Sequence, residues 1–232
     1  MRIAVVTVGD ELLAGDTVNT NAAWLGTRLG ERGVAVERVT TVPDRVADVA
    51  RVVNEYLAEY DAVIVTGGLG PTHDDLTMEG VAAAVGRAVE EHPEAVEWLT
   101  EHGGYVAENL AEGTAHLPAG ARVLPNEVGV APGAVVESVY VLPGVPAEMK
   151  AMFELVEGEF EGTPTYSETV VTSEPESGLL DRIRGVREAF DVTVGSYPGE
   201  NVRLKVTAAD PETAERAAGW LRERVDLVED GA

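Results

Sequence analysis

Three short apolar runs, each stopped by a glycine or proline and parted by stretches of helical spacing, restrict this chain to few architectures. The first, Arg2–Val8 (RIAVVTV), is rich in β-branched residues and ends at Gly9, which predicts a buried strand. Trp24, Leu25 and Leu29 then share one helical face, with Asn21 placed to cap that helix and Gly33 to stop it. Residues 34–42 alternate as a second strand that ends at Pro43 and Asp44. Val46, Val49, Val53 and Leu57 restore helical spacing before a third strand over 61–66 (DAVIVT), which Gly67, Gly68 and Gly70 break; 76–85 is helical again. This alternation predicts an α/β fold, a three-layer, mostly parallel sheet with helices on both faces. Ligands of such sheets bind outside the carboxyl ends of the strands. The loops 9–20, 43–44 and 67–75 all leave those ends, so they converge on one candidate site.

Downstream, 93–115 is acid-rich and predicts a helical lobe. Two short strands (134–136 and 139–142) and a helix from 146 to about 160 complete a first domain over 1–162. A strand (169–172), a helix (177–190), two strands (192–196 and 202–207) and a helix (211–228) predict a small α+β domain over 166–232.

Composition narrows the function. The 232 residues include no cysteine, which removes thiol catalysis and Cys-based zinc sites. Net charge is −24, and Lys150 and Lys205 are the only lysines, so nucleic acid and anionic membranes are not expected partners. The same acidic, lysine-poor balance suits a halophilic protein, because molar salt shrinks the Debye length to about 3 Å and screens self-repulsion. No apolar run approaches the ~18 residues of a membrane span, and the opening residues lack a signal-peptide pattern. A cytoplasmic protein is expected.

The segment 66–77 (TGGLGPTHDDLT) carries the strongest chemical signal. Glycines directly after a strand let backbone approach a phosphate without a Cβ in the way, and a helix start adds a favourable dipole. The pattern lacks the Gly-Lys-Ser/Thr ending of a Walker A loop and is no dinucleotide fingerprint. A phosphate site so poor in Lys and Arg needs positive charge from elsewhere. A divalent metal (Mg²⁺, Mn²⁺ or Co²⁺) held by carboxylates meets that need, and Asp44 with Asp74 or Asp75 are its candidate ligands. Asp74 also reads as a helix cap, and His73 as an exposed loop residue. Glu11, after Gly9 and Asp10, is placed to meet a ribose hydroxyl or a metal-bound water. The expected ligand is therefore a phosphorylated, nucleotide-like small molecule. Residues 126–133 and 142–149 are rigid Pro/Gly turns that ordinary strand connections would also produce.

Four motifs taken in order resemble the molybdopterin-binding MoaB/Mog fold, in its CinA-type branch. They are Gly9-Asp10-Glu11-Leu12-Leu13 with Asn19-Thr20-Asn21, the TGGLGPTHDDLT stretch, Gly129 with Ala131-Pro132-Gly133, and Leu142-Pro143-Gly144-Val145-Pro146-Ala147-Glu148-Met149. The resemblance covers about residues 1–160 and implies substrate contacts at Gly9, Asn21, Gly67, Gly68, Gly70, Pro71, Thr72, Gly129, Pro132, Gly133, Pro143, Gly144, Pro146 and Glu148. It implies catalytic acids at Asp44, Asp75 and Glu11, and a homo-oligomer. Residues 167–232 resemble the KH-like domain of CinA proteins, without a Gly-x-x-Gly loop. CinA-type members are associated with metal-dependent cleavage of ADP-ribose to AMP and ribose 5-phosphate. The molybdenum-cofactor members adenylylate molybdopterin, and a non-catalytic nucleotide sensor would use the same pocket. Many CinA proteins carry a further nicotinamide-mononucleotide deamidase domain, which the resemblance does not reach.

Overall fold

A computed structural model describes residues 1–70, 75–101 and 114–228 of the chain. The chain divides into two units: Met1–Leu29 with Val34–Glu161, and Gly30–Gly33 with Gly162–Ala232.

The first unit is built on a six-stranded sheet. Its strands are β1 (Arg2–Val8), β2 (Ala35–Val42), β3 (Ala62–Thr66), β6 (Arg122–Leu124), β7 (Gly133–Val136) and β8 (Val139–Leu142), in the order β2-β1-β3-β8-β7-β6. The first four of that order are parallel, and β7 and β6 add an antiparallel edge. Alternation between two cores explains why the central strands β1 and β3 are apolar apart from Arg2, Thr7 and Thr66. In β1, Ala4, Val6 and Val8 face one core while Ile3 and Val5 face the other. In β3, Val63 and Val65 go to the first core, and Ala62 and Ile64 to the second. Both faces are therefore covered, as a parallel sheet requires.

Helices α3 (Val46–Glu59), α4 (Thr77–Ala84) and α5 (Pro93–Glu101) cover the first face through Val49, Val53, Met78, Val81 and Leu99. Helices α2 (Thr20–Glu31) and α6 (Pro146–Val156) cover the second through Leu25, Leu29, Met149, Met152 and Phe153. The edge strand β2 does not alternate cleanly: Ala35, Glu37, Arg38 and Val39 are exposed, its pairing with β1 shifts register opposite Glu37, and only Val42 is buried.

Several elements depart from the sequence reading. The 9–20 loop contains a short helix, α1 (Asp10–Ala14), closed by Gly15 in the left-handed conformation. The acid-rich lobe is helical only over Pro93–Glu101 among the described residues. It is framed by β4 (Val89–Glu91) and β5 (His116–Pro118), an antiparallel pair with too few residues and too many acids and prolines to show as strands. Helix α6 stops at Val156 and gives way to a 3-10 turn.

The second unit runs β9 (Tyr166–Thr172), α7 (Glu176–Ala189), β10 (Thr193–Tyr197), β11 (Val202–Ala208) and α8 (Pro211–Arg222). Its antiparallel sheet has the order β10-β11-β9, and Val170, Leu179, Val186, Leu204 and Leu221 fill its core. Helix α8 ends at Arg222, earlier than its spacing suggests, and begins with Pro211 after an Asp210 cap that accepts from the Thr213 amide at 2.8 Å. That amide holds the Asp210 carboxyl below its ordinary value. The stabilisation is present above the ordinary carboxylate range and is lost as pH falls through the lowered value. Replacing Asp210 with Ala should lower the melting temperature by about 5 °C at neutral pH. The difference should close in acid, and equal melting at both pH values would contradict the cap.

Candidate functional site

Strands β1 and β2 lie on one side of the β1–β3 junction and β8 on the other, so their carboxyl ends open onto the crevice where a doubly wound sheet takes its ligand. The ends are tied together by backbone. The Gly9 amide donates to the Val42 carbonyl at 3.2 Å, and the Gly67 amide to the Leu142 carbonyl at 3.1 Å. Gly67 sits at φ +101°, and a Cβ there would overlap the Val8 carbonyl oxygen. Gly67 thus allows β1, β3 and β8 to end side by side. Thr77, fully buried at the start of α4, donates through Oγ1 to the Gly67 carbonyl at 2.8 Å and through its amide to that of Gly68. Gly9 and Gly67 spend their amides on strand partners, whereas those of Gly68 and Gly70 have no backbone acceptor among the described residues.

A cavity of about 390 Å³ occupies this crevice. Gly9, Glu11, Asn21, Asp44, Gly67, Gly68, Asp75, Gly144 and Pro146, all candidates from the sequence, line it. A second cavity of about 440 Å³ adjoins it and shares Glu11, Gly68, Asp75 and Gly144. Gly70, Gly129, Pro143 and Glu148 line the second. Pro132 and Gly133 line neither; Gly133 opens β7 and packs between Met152 and the Val141 carbonyl. Pro71, Thr72, His73 and Asp74 lie outside the described residues.

Among the described residues no Lys, Arg or His lines either cavity. Asp44 shows the result: burial pushes its carboxyl above the ordinary value, and the charges of Asp10, Glu11 and Asp75 push it further. The hydrogen bond from the Asp10 amide to Asp44 Oδ2, 2.7 Å, works in the opposite direction. Among the described residues no three His, Asp or Glu side chains converge to hold a metal unaided. Asp44 and Asp75 line the same cavity, and two carboxylates suit a hard divalent cation that takes its other ligands from water and phosphate.

Helix α2 shows a role exchange. Asn19, not Asn21, caps it, its Oδ1 accepting from the Ala22 amide at 3.1 Å. Asn19 also donates to Thr7 Oγ1, which bonds Thr41 Oγ1 on β2. Asn21 is buried inside the helix and donates to the Gly144 carbonyl at 2.7 Å, fixing the turn after β8 to the crevice wall. Asp10, Asn19 and Thr77 stood in the sequence motifs without a role of their own, and Thr7 stood in none. Single hydroxyls and amides give no signal until the strands are placed side by side.

The comparisons with known proteins agree with this architecture. Residues 4–160 match the family model described as "Probable molybdopterin binding domain". A protein of Aeropyrum pernix is 47% identical over 95% of this chain and 90% of its own length. A CinA-like protein of Citrifermentans bemidjiense is 37% identical over 97% of this chain. The chain belongs to the molybdopterin-binding-domain family, in its CinA-type branch. It spans 58% of the length of that CinA-like protein. The crystal structure of the CinA protein of Thermoplasma acidophilum, titled as of unknown function, superposes with a TM-score of 0.64 at 36% identity. It covers 68% of this chain and 97% of its own length. Among the described residues no helix is long and apolar enough to cross a membrane.

Proposed function

We propose that this CinA-type crevice hydrolyses a nucleotide pyrophosphate, with ADP-ribose as the test substrate. The observation that carries the reading is the meeting of Asp44 and Asp75 with the Gly67–Gly68 turn in one cavity that no basic side chain lines among the described residues. A ligand with two adjacent phosphates brings charge that such a site can accept only together with a cation. Asp44 and Asp75 would hold that divalent cation, which when bound supplies charge neutralisation at the anhydride oxygens. The amides of Gly68 and Gly70 donate to the phosphate oxygens. Glu11 accepts a proton from the attacking water or orients it. The water oxygen bonds to phosphorus, the bridging P–O bond breaks, and AMP and ribose 5-phosphate leave with release of a proton.

A second reading, binding of molybdopterin or its adenylylation, draws support from the description of the matching family model. It uses the same crevice and differs in yielding no AMP from ADP-ribose.

The test is AMP release from ADP-ribose with and without Mg²⁺, Mn²⁺ or Co²⁺. Turnover should require the metal. It should rise with pH through a value above that of an ordinary aspartate, because the ionised Asp44 is the proposed ligand and its carboxyl is pushed up. The stability effect has the opposite sign. A raised carboxyl favours the folded state at low pH, and that contribution is lost as pH rises through the raised value. Asp44→Asn should therefore remove turnover while increasing stability at neutral pH. Metal-independent AMP release would contradict the reading, and no release from folded protein would favour the second one.

A further inference from the structure

The sheet of the second unit packs its core against one face and leaves the other open. Along β11, Val202, Leu204 and Val206 enter the core, so alternation turns Arg203, Lys205 and Thr207 to the open face. Arg203 stands between Tyr197 of β10 and Val171 of β9, and Lys205 between Gly195 and Thr169. Arg203, Lys205, Tyr197 and Val171 are all exposed. A Cβ at Gly195 would meet the Tyr197 ring at 2.9 Å, so the ring lies along β10 instead of standing off the sheet. No carboxylate shares this face. Among the described residues neither Arg203 nor Lys205 has an ion-pair partner, in a chain where 41 acids face 17 bases. Neither lines a cavity of the crevice.

The complement to this face stands in the same sequence. Helix α5 carries Glu94, Glu97 and Glu101 at spacings of three and four residues, which places them on one side of the helix. All three are exposed, and none has an ion-pair partner among the described residues. Glu97 and Glu101 lie about 6 Å apart along the helix axis, and Arg203 and Lys205 about 7 Å apart along their strand. The two pairs match in spacing and oppose in sign. A polyanion such as single-stranded nucleic acid would run past two cations onto a surface whose net charge is −24, whereas a short row of carboxylates would not. We propose that the open sheet face is a self-association surface that receives helix α5 of a second copy of the chain, with Glu97 and Glu101 against the Arg203–Lys205 pair. Tyr197 and Val171 flank Arg203 and would keep water from the contact, which strengthens the attraction. The contact does not depend on what the crevice binds.

Sedimentation velocity of the full chain over a concentration series, at constant salt, tests the proposal. The unmodified chain should self-associate, and Arg203→Glu combined with Lys205→Glu should weaken the association by about tenfold or more. Glu97→Lys combined with Glu101→Lys should weaken it to a similar degree. Mixed in equal amounts, the two variants should associate with each other, because each supplies the charge that the other has lost. Raising KCl from about 0.1 to 1 M should weaken the unmodified contact, since the Debye length falls from about 10 to 3 Å. Circular dichroism checks the fold of each variant, and Gln at the same four positions removes charge without reversing it if a reversed variant does not fold. An unmodified chain that stays monomeric, or variants that associate as it does, would overturn the proposal. So would a mixture that associates no better than either variant alone. An oligouridylate probe that binds the unmodified chain and is lost with Arg203→Glu and Lys205→Glu, while self-association stays unchanged, would assign the face to nucleic acid instead.

Discussion

Replacing Asp75 with Asn is expected to reduce metal-dependent AMP release by about a hundredfold or more while the protein melts as before. The substitution keeps size and shape and removes one negative charge from a cavity wall that holds Asp44, Asp10 and Glu11 as well. Two consequences separate this result from a general loss of structure. The metal concentration needed for half-maximal activity should rise, because one of two protein ligands is lost. The Asp44 carboxyl should also move back toward its ordinary value, since Asp75 is among the charges that push it up. The pH–rate curve of any residual activity should then shift to lower pH. Full activity in Asp75→Asn would remove Asp75 from the metal site and leave the phosphate turn without its proposed counter-charge.

The second large effect concerns stability. Gly67→Ala places a methyl group onto the Val8 carbonyl at a residue with φ +101°, so backbone strain and steric overlap act together. Strain of this kind costs on the order of 1 to 3 kcal/mol, and forced overpacking a similar amount. A loss of about 3 kcal/mol is expected in urea unfolding followed by tryptophan fluorescence. Gly26→Ala is the control. It lies within α2 with no atom within 4 Å of the added methyl, and should stabilise by up to about 1 kcal/mol through helix propensity. Unfolding curves for Gly67→Ala that match the unmodified protein would show that the strand ends separate without cost.

The central strands were legible because each is covered on both faces, which makes RIAVVTV and AVIVT apolar at every position but Arg2, Thr7 and Thr66. The gathering of candidate residues around one cavity followed from the same pattern, since three loops leave the carboxyl ends of neighbouring strands. Short elements were not legible: β4, β5 and β6 have three residues each, and α1 lies between Gly9 and Gly15, where glycines suggest a loop. The role of Gly67 depends on β8 arriving beside β3 from seventy residues downstream, so the sequence showed a flexible turn where the fold has a strand crossing. The exchange between Asn19 and Asn21 has a similar cause. Either asparagine can cap a helix locally, and the Gly144 carbonyl decides which one is drawn inward.

The backbone ties among Val8, Val42, Gly67 and Leu142 belong to the sheet, whereas Asn126 and Glu148 belong to a loop and a helix end outside it. The two halves of the crevice are therefore modular. Changes in the 126–131 loop can reshape the second cavity without disturbing the Gly67–Gly68 turn. On this architecture, divergence in ligand preference among relatives should concentrate at the outer loop, while the sheet-end glycines stay under the constraint of main-chain geometry.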